Sequence, residues 1–145
     1  MAAQNGHLEM VQELLHLSAN PNISFNDGRT SIHYAAQNGH IEIVRLLMSS
    51  TDNPNAANND GTTPIHNAVE NGHVEIVQLL MSSTDNQNAP DNNGWTPIHW
   101  AAINGHIEIV RLLMEITTNN PNSPDIHGQT PMRRGLQNNM VVTKL

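Results

Sequence analysis

Histidine is the residue of this sequence with the most evident chemistry, because imidazole binds metal ions and exchanges protons near neutral pH. Seven of the nine histidines recur every 33 residues in two series, which are His7, His40, His73 and His106, and His33, His66 and His99. Zinc needs several ligand nitrogens within about 2.1 Å, whereas equivalent positions on packed helices lie about 8–10 Å apart. The histidines are therefore predicted to be structural, with no metal site and no cofactor.

Other catalytic groups are absent from the sequence or too regularly spaced to converge. Glu42, Glu75 and Glu108 follow the same interval as the histidines. Paired catalytic carboxylates must meet across a cleft, and a regular ladder does not bring them together. The sequence has no nucleophile elbow, phosphate loop or zinc-protease motif, and it has no cysteine. We expect no enzymatic activity.

The composition excludes several kinds of partner and environment. Thirteen acidic residues against six lysines and arginines give a net charge of −7, without the basic surface that nucleic-acid binding requires. No apolar run is long enough to cross a membrane, and the first residues do not resemble a secretory signal. We expect an intracellular, cytoplasmic monomer that binds no nucleic acid and does not insert into membranes.

The 33-residue interval extends through the whole chain. Asn-Gly-His recurs at 5–7, 38–40, 71–73 and 104–106, and MSSTD occurs at both 48–52 and 81–85. Such a period predicts a solenoid of stacked units. The first unit begins within its first helix, which predicts a less stable N-terminal end. The predicted boundaries within this single domain, 1–145, are a partial unit 1–24, full units 25–57, 58–90 and 91–124, and a partial unit 125–145.

Each unit is predicted to form two helices after a turn. In the unit 58–90, Asp60-Gly61 indicates the turn, and Thr63-Pro64 supplies a hydroxyl cap and a first-turn proline. Asn71-Gly72 ends this helix because glycine readily adopts the left-handed conformation. One helix pair cannot bury its own apolar residues, so neighbouring units must stack. The second helix carries its apolar stripe at Val74, Val77, Leu80 and Met81.

These residues resemble the ankyrin-repeat signature, most closely in Thr63-Pro64-Ile65-His66 and Thr96-Pro97-Ile98-His99-Trp100-Ala101-Ala102. Gly72-His73, Glu75-Ile76-Val77 and Leu79-Leu80 are also similar to it. The resemblance implies an all-α fold, an ankyrin-repeat α-solenoid with β-hairpin or turn loops. It also implies that the histidines bond to the threonine and to neighbouring backbone groups, and that the chain binds proteins and catalyses no reaction.

Departures from the family pattern lead to local expectations. Ser31 replaces the usual proline, which is a mild change at a helix start. Thr51 and Thr84 stand where family members place glycine, and a threonine is strained in the left-handed conformation. We expect the second helix to end either at a nearby asparagine, Asn53 or Asn86, or in an altered turn. One extra residue near 117–119 is expected to bulge a loop.

Asn55 and Asn88 occupy the loop position at which some family members present an asparagine to an oxygenase. The typical family sequence there is Asp-Val-Asn, and here it is Asn53-Pro54-Asn55 and Asn86-Gln87-Asn88. The sequence leaves open whether Asn55 or Asn88 is hydroxylated.

Members of this family bind partners through the turn tips and the concave face of the first helices. Trp95 and Ile103 are the large apolar residues at such positions, and an exposed tryptophan is a good binding residue. We predict a groove site centred on these two residues, with acidic Asp60 and Glu70 facing a basic rim on the partner. The alternative is that Trp95 lies flat on its own loop and Trp100 fills a gap between units. The predicted site also includes Arg29, Thr62 and Asn93.

The function that the sequence predicts is a protein–protein interaction module or scaffold, whose partner it does not identify. Two alternatives remain open, a structural spacer within a longer array and a regulatory array attached to a catalytic domain outside this chain. Varied residues at the tips favour binding, whereas uniform polar tips favour a spacer.

Overall fold

The structure, a computed structural model, describes residues 6–17, 19–84 and 88–116 of the 145-residue chain. These residues form seven helices and no strand, and none of the helices is long and apolar enough to cross a membrane. The helices are α1 Leu8–His16, α2 Ser31–Gln37, α3 Ile41–Met48, α4 Pro64–Glu70, α5 Val74–Met81, α6 Pro97–Ile103 and α7 Ile107–Ile116. We call α2, α4 and α6 the inner helices, and the others the outer helices.

Each inner helix begins after a threonine that caps it. The Thr63 Oγ1 accepts the backbone N–H of His66 at 3.4 Å, just before α4 starts at Pro64. The His66 imidazole accepts the Thr63 N–H at 3.1 Å, which completes a reciprocal cap. Helix α2 begins in the same way after Thr30, although Ser31 replaces the proline. The predicted helix starts are confirmed, and α2 begins at the equivalent place with Ser31 instead of proline.

The Asn-Gly-His motif ends each inner helix. At the end of α4, the Asn71 Nδ2 donates to the Asn67 carbonyl at 2.9 Å, and Gly72 follows with a φ of 74°. A Cβ atom at Gly72 would lie 2.8 Å from the Cε1 of His106 in the next unit. Glycine is therefore required both by the left-handed backbone and by the packing of the next unit. The predicted helix end is confirmed.

Serine hydroxyls complete the ends of the outer helices. Helix α3 stops at Met48, and Ser49 keeps a right-handed conformation. The Oγ atoms of Ser49 and Ser50 donate to the Leu46 carbonyl at 2.7 and 3.1 Å, which satisfies an acceptor that the helix itself leaves free. Of the two expected solutions, the structure shows the altered turn. Asn86 and the extra residue near 117–119 lie outside the described residues.

The core is aliphatic and lies between the two layers of helices. The inner helices stack in the order α2, α4, α6, and the outer helices in the order α1, α3, α5, α7. Helix α5 contributes Ile76, Val77 and Leu80, which are 2 % exposed or less, and α3 and α7 contribute the equivalent residues. Small buried residues such as Ala68 let the inner helices approach closely. Isoleucine, leucine, valine, methionine and alanine form this core.

Some apolar residues of α1 are exposed, although the equivalent residues of the other outer helices are buried. Met10 and Leu14 are 56 % and 43 % exposed, whereas their equivalents in α3, Ile43 and Leu47, are 2 % and 3 % exposed. Contacts with neighbouring units supply most of the stability of a repeat array. Helix α1 should therefore open more readily than the central helices.

We expect the amide hydrogens of residues 8–17 to exchange at least about tenfold faster than those of residues 76–80, because a local opening of α1 breaks fewer buried contacts. Hydrogen exchange followed by mass spectrometry at neutral pH measures this difference. Equal protection of both segments would contradict the prediction, and would mean that other residues cover the α1 stripe in solution.

Candidate binding face

The histidines of the Thr-x-x-His series join neighbouring units below the turns. The His33 Nδ1 accepts the Thr30 N–H at 3.1 Å, so the ring proton resides on Nε2. The His33 Nε2 donates to the carbonyl of Thr62 in the next unit at 3.0 Å. His66 repeats this arrangement with the carbonyl of Trp95, at 3.1 Å. The structural role that the resemblance implied is confirmed for both histidines.

These imidazoles are held in the neutral form. Burial lowers the pKa of His33 from 6.5 to about 4, although the hydrogen bond to the Thr62 carbonyl opposes this shift. Burial likewise lowers the pKa of His66, against the opposing effects of the Trp95 carbonyl and the Asp91 carboxylate. Protonation would add a second proton to the ring, at the Nδ1 that accepts the threonine N–H, so the neutral ring is the form that the fold requires.

The histidines of the Gly-His series join the units a second time, at the far ends of the inner helices. The His73 Nε2 lies 3.0 Å from the Gln37 carbonyl, and the His106 Nε2 lies 3.1 Å from the Glu70 carbonyl. Each carbonyl belongs to the last residue of the preceding inner helix, so each imidazole satisfies a helix-end acceptor. In the part of the chain that the structure describes, no three His, Asp or Glu residues converge on a possible metal position.

The turns form a continuous layer beside the inner helices. Within one turn, the Asn58 N–H donates to the Thr62 carbonyl at 2.9 Å, and the Asn58 Oδ1 accepts the Thr62 N–H at 2.9 Å. The next contact joins two turns, since the Asn59 N–H donates to the Asp27 carbonyl at 2.9 Å. Of the loops that the resemblance implied, β-hairpins or turns, the structure shows tight turns, with no strand across the described residues.

Trp95 is buried, which contradicts the prediction of an exposed side chain in the groove. It is 8 % exposed, and its ring packs edge-on against Trp100 with centroids 5.5 Å apart. Asp91 holds both residues, because its Oδ1 accepts the Trp95 N–H at 2.9 Å and its Oδ2 accepts the Trp100 indole N–H at 3.1 Å. The alternative, in which Trp95 packs on its own unit, is the observed arrangement. Trp100 is half-buried and packs against the core.

The remaining predicted residues lie on the turns or at the ends of the inner helices. Asp60 and Asn93 are exposed at turn tips, and Thr62 is half-buried beside one of them. Glu70 is exposed as the last residue of α4, and Ile103 is half-buried as the last residue of α6. Trp95 is the predicted site residue whose exposure differs from the prediction, and a binding role for the others stays a prediction.

Arg29 belongs to an aromatic group on the first turn. Its guanidinium carbon lies 5.5 Å from the centre of the Tyr34 ring, and the Phe25 ring meets Tyr34 edge-on at 5.3 Å. The Arg29 Nε lies 3.2 Å from the Asp27 Oδ2, close enough for an ion pair although not aligned for a hydrogen bond. Phe25 remains 44 % exposed.

Asn67 is the residue of this face that the sequence analysis missed. It stands 33 residues after Tyr34 and 33 before Trp100, at the same position of the repeat. Its side chain is 5 % exposed, and its Oδ1 has no hydrogen-bond partner. A buried acceptor without a donor costs about 1–3 kcal/mol. The available signal was an amide at a position where the neighbouring units hold an aromatic ring.

Replacing Asn67 with leucine is expected to raise the free energy of unfolding by about 1 kcal/mol, because leucine has nearly the same shape and leaves no acceptor unsatisfied. Urea denaturation followed by circular dichroism measures the change. The matched control is Asn71→Leu, which should lower stability because it removes the hydrogen bond to the Asn67 carbonyl. A loss of stability in Asn67→Leu would show that the carboxamide has a donor in solution.

The loop asparagines differ in their surroundings. Asn55 is fully buried, and its Oδ1 accepts the Ile65 N–H at 3.0 Å. Asn88 is half-buried. Because the Asn55 carboxamide is inaccessible in this conformation, an oxygenase could reach it only after the loop opens.

The comparison with protein-family models agrees with this architecture. A model described as ankyrin repeats (3 copies) matches residues 1–91 and 82–145, and so spans the whole chain. No curated protein matches the sequence. Paired helices, the Thr-x-x-His caps and the period of the repeats agree with the family match. The chain therefore belongs to the ankyrin-repeat family.

Proposed function

We propose that the chain is a protein-interaction module or scaffold that binds a partner through its turns and the concave face of its inner helices. Ankyrin repeats generally serve in protein interactions. The observation that carries the proposal is a contrast between the two sides of the units. Helices α3, α5 and α7 begin with nearly identical sequences, IEIVRLLM, VEIVQLLM and IEIVRLLM.

The turns and inner helices differ much more from unit to unit. The residue after the turn glycine is Arg29, Thr62 or Trp95. Since the outer helices show that one sequence suffices for stacking, variation on the other side supports recognition, which resides in surface residues and not in the fold. The last residue of the inner helix varies likewise, as Gln37, Glu70 and Ile103.

The burial of Trp95 changes the part that we propose for it. Its ring supports the turn, and the partner contacts are proposed for residues that solvent reaches. Ile103 is the apolar candidate, and burying a side chain of this size against a partner contributes about 1.5–3 kcal/mol. The polar candidates around it are Asp60, Thr62, Glu70, Asn93 and Arg29.

The proposal is tested by affinity capture from a lysate of the source organism, with quantitative mass spectrometry of the captured proteins. The variant Thr62→Arg/Ile103→Asp changes the proposed face. The control Gln78→Arg/Met114→Asp makes the same charge changes on exposed residues of the outer helices. We expect at least one protein to be captured by the wild type and the control, and lost with the first variant.

Two outcomes would contradict the proposal. Capture that survives the first variant but fails with the control would move the binding face to the outer helices. Capture of no protein by any form would favour the structural-spacer alternative.

We also propose that the protein acts as a monomer inside the cell and binds no nucleic acid. The absence of cysteine suits a reducing compartment, and the net charge of −7 opposes contact with phosphate backbones. Sedimentation velocity across a range of concentrations tests the monomer, and a dimer at micromolar concentration would contradict it.

A further inference from the structure

The aromatic residues of the chain, two Trp, one Tyr and one Phe, lie in two clusters on two units, and of these residues Tyr34 and Trp100 hold equivalent positions of the repeat. The first aromatic cluster is Phe25 and Tyr34, with ring centroids 5.3 Å apart. The second aromatic cluster is Trp95 and Trp100, with centroids 5.5 Å apart. The unit 58–90 lies between them and contains no aromatic residue, and we call it the middle unit.

The middle unit has an amide at the position where both neighbouring units have an aromatic ring, and it also carries two exposed carboxylates. Asn67 holds the position of Tyr34 and Trp100, is 5 % exposed, and has an Oδ1 without a donor. Asp60 and Glu70 are exposed on the same unit, and neither forms an ion pair within residues 6–17, 19–84 and 88–116. The Asn67 Oδ1 is a buried acceptor without a donor, and the two exposed carboxylates add negative charge on the same unit. This unit therefore favours a positively charged hydrogen-bond donor.

We infer that the middle unit binds a basic side chain, lysine or arginine, carried by an extended segment of the protein partner that lies across both aromatic clusters. The inference rests on the proposed function and specifies the chemistry of its partner.

The partner's basic group satisfies the amide acceptor. The Asn67 carboxamide turns about χ2, a torsion with broad preferences, and so presents its Oδ1 to the groove. A charged donor forms a stronger hydrogen bond to this oxygen than a neutral one does. Asp60 and Glu70 add attraction over a longer range, which speeds the encounter and discriminates against acidic segments.

Arg29 shows how a cation is accommodated on this face. Its guanidinium carbon lies 5.5 Å from the centre of the Tyr34 ring, within the range of a cation–π contact. Arg29 also pairs with Asp27 at 3.2 Å, so the Tyr34 side is already occupied by the protein's own cation. The partner's basic side chain therefore lies on the Trp100 side of Asn67.

The separation of the clusters sets the length of the partner segment. Packed helices lie about 8–10 Å apart, so clusters two units apart are separated by roughly 16–20 Å. An extended chain advances about 3.3 Å per residue. About five or six residues therefore separate the partner residues that contact the two clusters, with the basic residue near the middle.

The test is an NMR titration of the ¹⁵N-labelled full chain with acetyl-Gly-Gly-Arg-Gly-Gly-amide. Two matched peptides carry glutamate or glutamine in place of the arginine. We expect the arginine peptide to shift the Asn67 side-chain amide and the Trp100 indole N–H in a saturable way. The glutamate and glutamine peptides should leave both signals unchanged.

Variants locate the contact. Glu70→Gln should weaken the binding of the arginine peptide up to about fivefold, the range for an exposed ion pair. Glu75→Gln is the control, since it makes the same change on an exposed residue of α5 and should leave the affinity unchanged. Asn67→Leu should weaken binding by about tenfold or more, because it removes the acceptor of a charged donor. Circular dichroism confirms that each variant is folded.

Three results would overturn the inference. One is a set of equal shifts around Glu42, Glu75 and Glu108, which would show unspecific attraction to the acidic surface. Another is binding of the glutamate or glutamine peptide at Asn67, and the third is the absence of any shift with the arginine peptide. None of them decides the proposed function, because the capture experiment detects a partner of any charge.

Discussion

Lowering the pH from 7 to 4 is expected to reduce the free energy of unfolding by about 3 kcal/mol through His33 alone. The pKa of His33 is 6.5 in its ordinary environment and about 4 in the folded protein. The unfolded chain therefore binds more protons between these two values, so stability falls as the pH falls. The stability that the neutral His33 ring contributes is fully present above about pH 6.5, and it is lost as the pH falls to about 4.

His66 acts in the same direction, because burial lowers its pKa as well. The charges that face His33 partly offset one another, since Arg29 lowers its pKa and Asp27 raises it. A domain of this size has a total stability of about 5–15 kcal/mol. Protonation of two interface histidines is thus expected to remove a large fraction of it, by opening the contacts between successive units.

Urea denaturation at intervals between pH 7 and pH 4 measures this dependence. His33→Gln should reduce the slope of stability against pH by up to about 1.4 kcal/mol per pH unit, the effect of one proton. The control is His16→Gln, because His16 is exposed on α1 and joins no two units. A wild-type slope that persists in His33→Gln would refute the assignment to His33.

Replacing Trp95 with alanine is expected to lower the free energy of unfolding by about 3–5 kcal/mol, the range for a buried tryptophan. The side chain is 8 % exposed and contacts the Trp100 ring at 5.5 Å and the His99 ring at 5.9 Å. Its loss leaves a cavity beside the Trp100 ring and below the turn that Asp91 organises. The sequence alone predicted an exposed Trp95 in the binding groove, whose loss would cost the fold little.

The comparison variant is Phe25→Ala, which removes the exposed aromatic residue of the first aromatic cluster. Phe25 is 44 % exposed, so the loss should be about 1 kcal/mol, the value of its edge-on contact with Tyr34. Urea denaturation of both variants gives the two values. If Trp95→Ala cost no more than Phe25→Ala, Trp95 would be accessible to partners as the sequence analysis expected.

The sequence by itself determined the architecture, because the rules involved are local and repeated. A threonine before Pro64 starts an inner helix, Asn71-Gly72 ends it, and the apolar spacing from Val74 forms the outer one. The 33-residue period then requires stacking, since one helix pair cannot bury its own apolar residues. The same period predicted a structural role for the histidines, by excluding their convergence on a metal ion.

Only the tertiary structure decided which side chains are accessible and which polar groups are satisfied. Trp95 follows a turn glycine just as Thr62 does, yet the Asp91 carboxylate and the Trp100 ring hold it against its own unit. Asn67 lies in an ordinary helical sequence, and its Oδ1 is left without a donor by the environment that the folded chain creates around it. Burial and hydrogen bonding at these positions depend on distances in space between groups from different elements, and a repeat pattern specifies which residues are equivalent but not those distances.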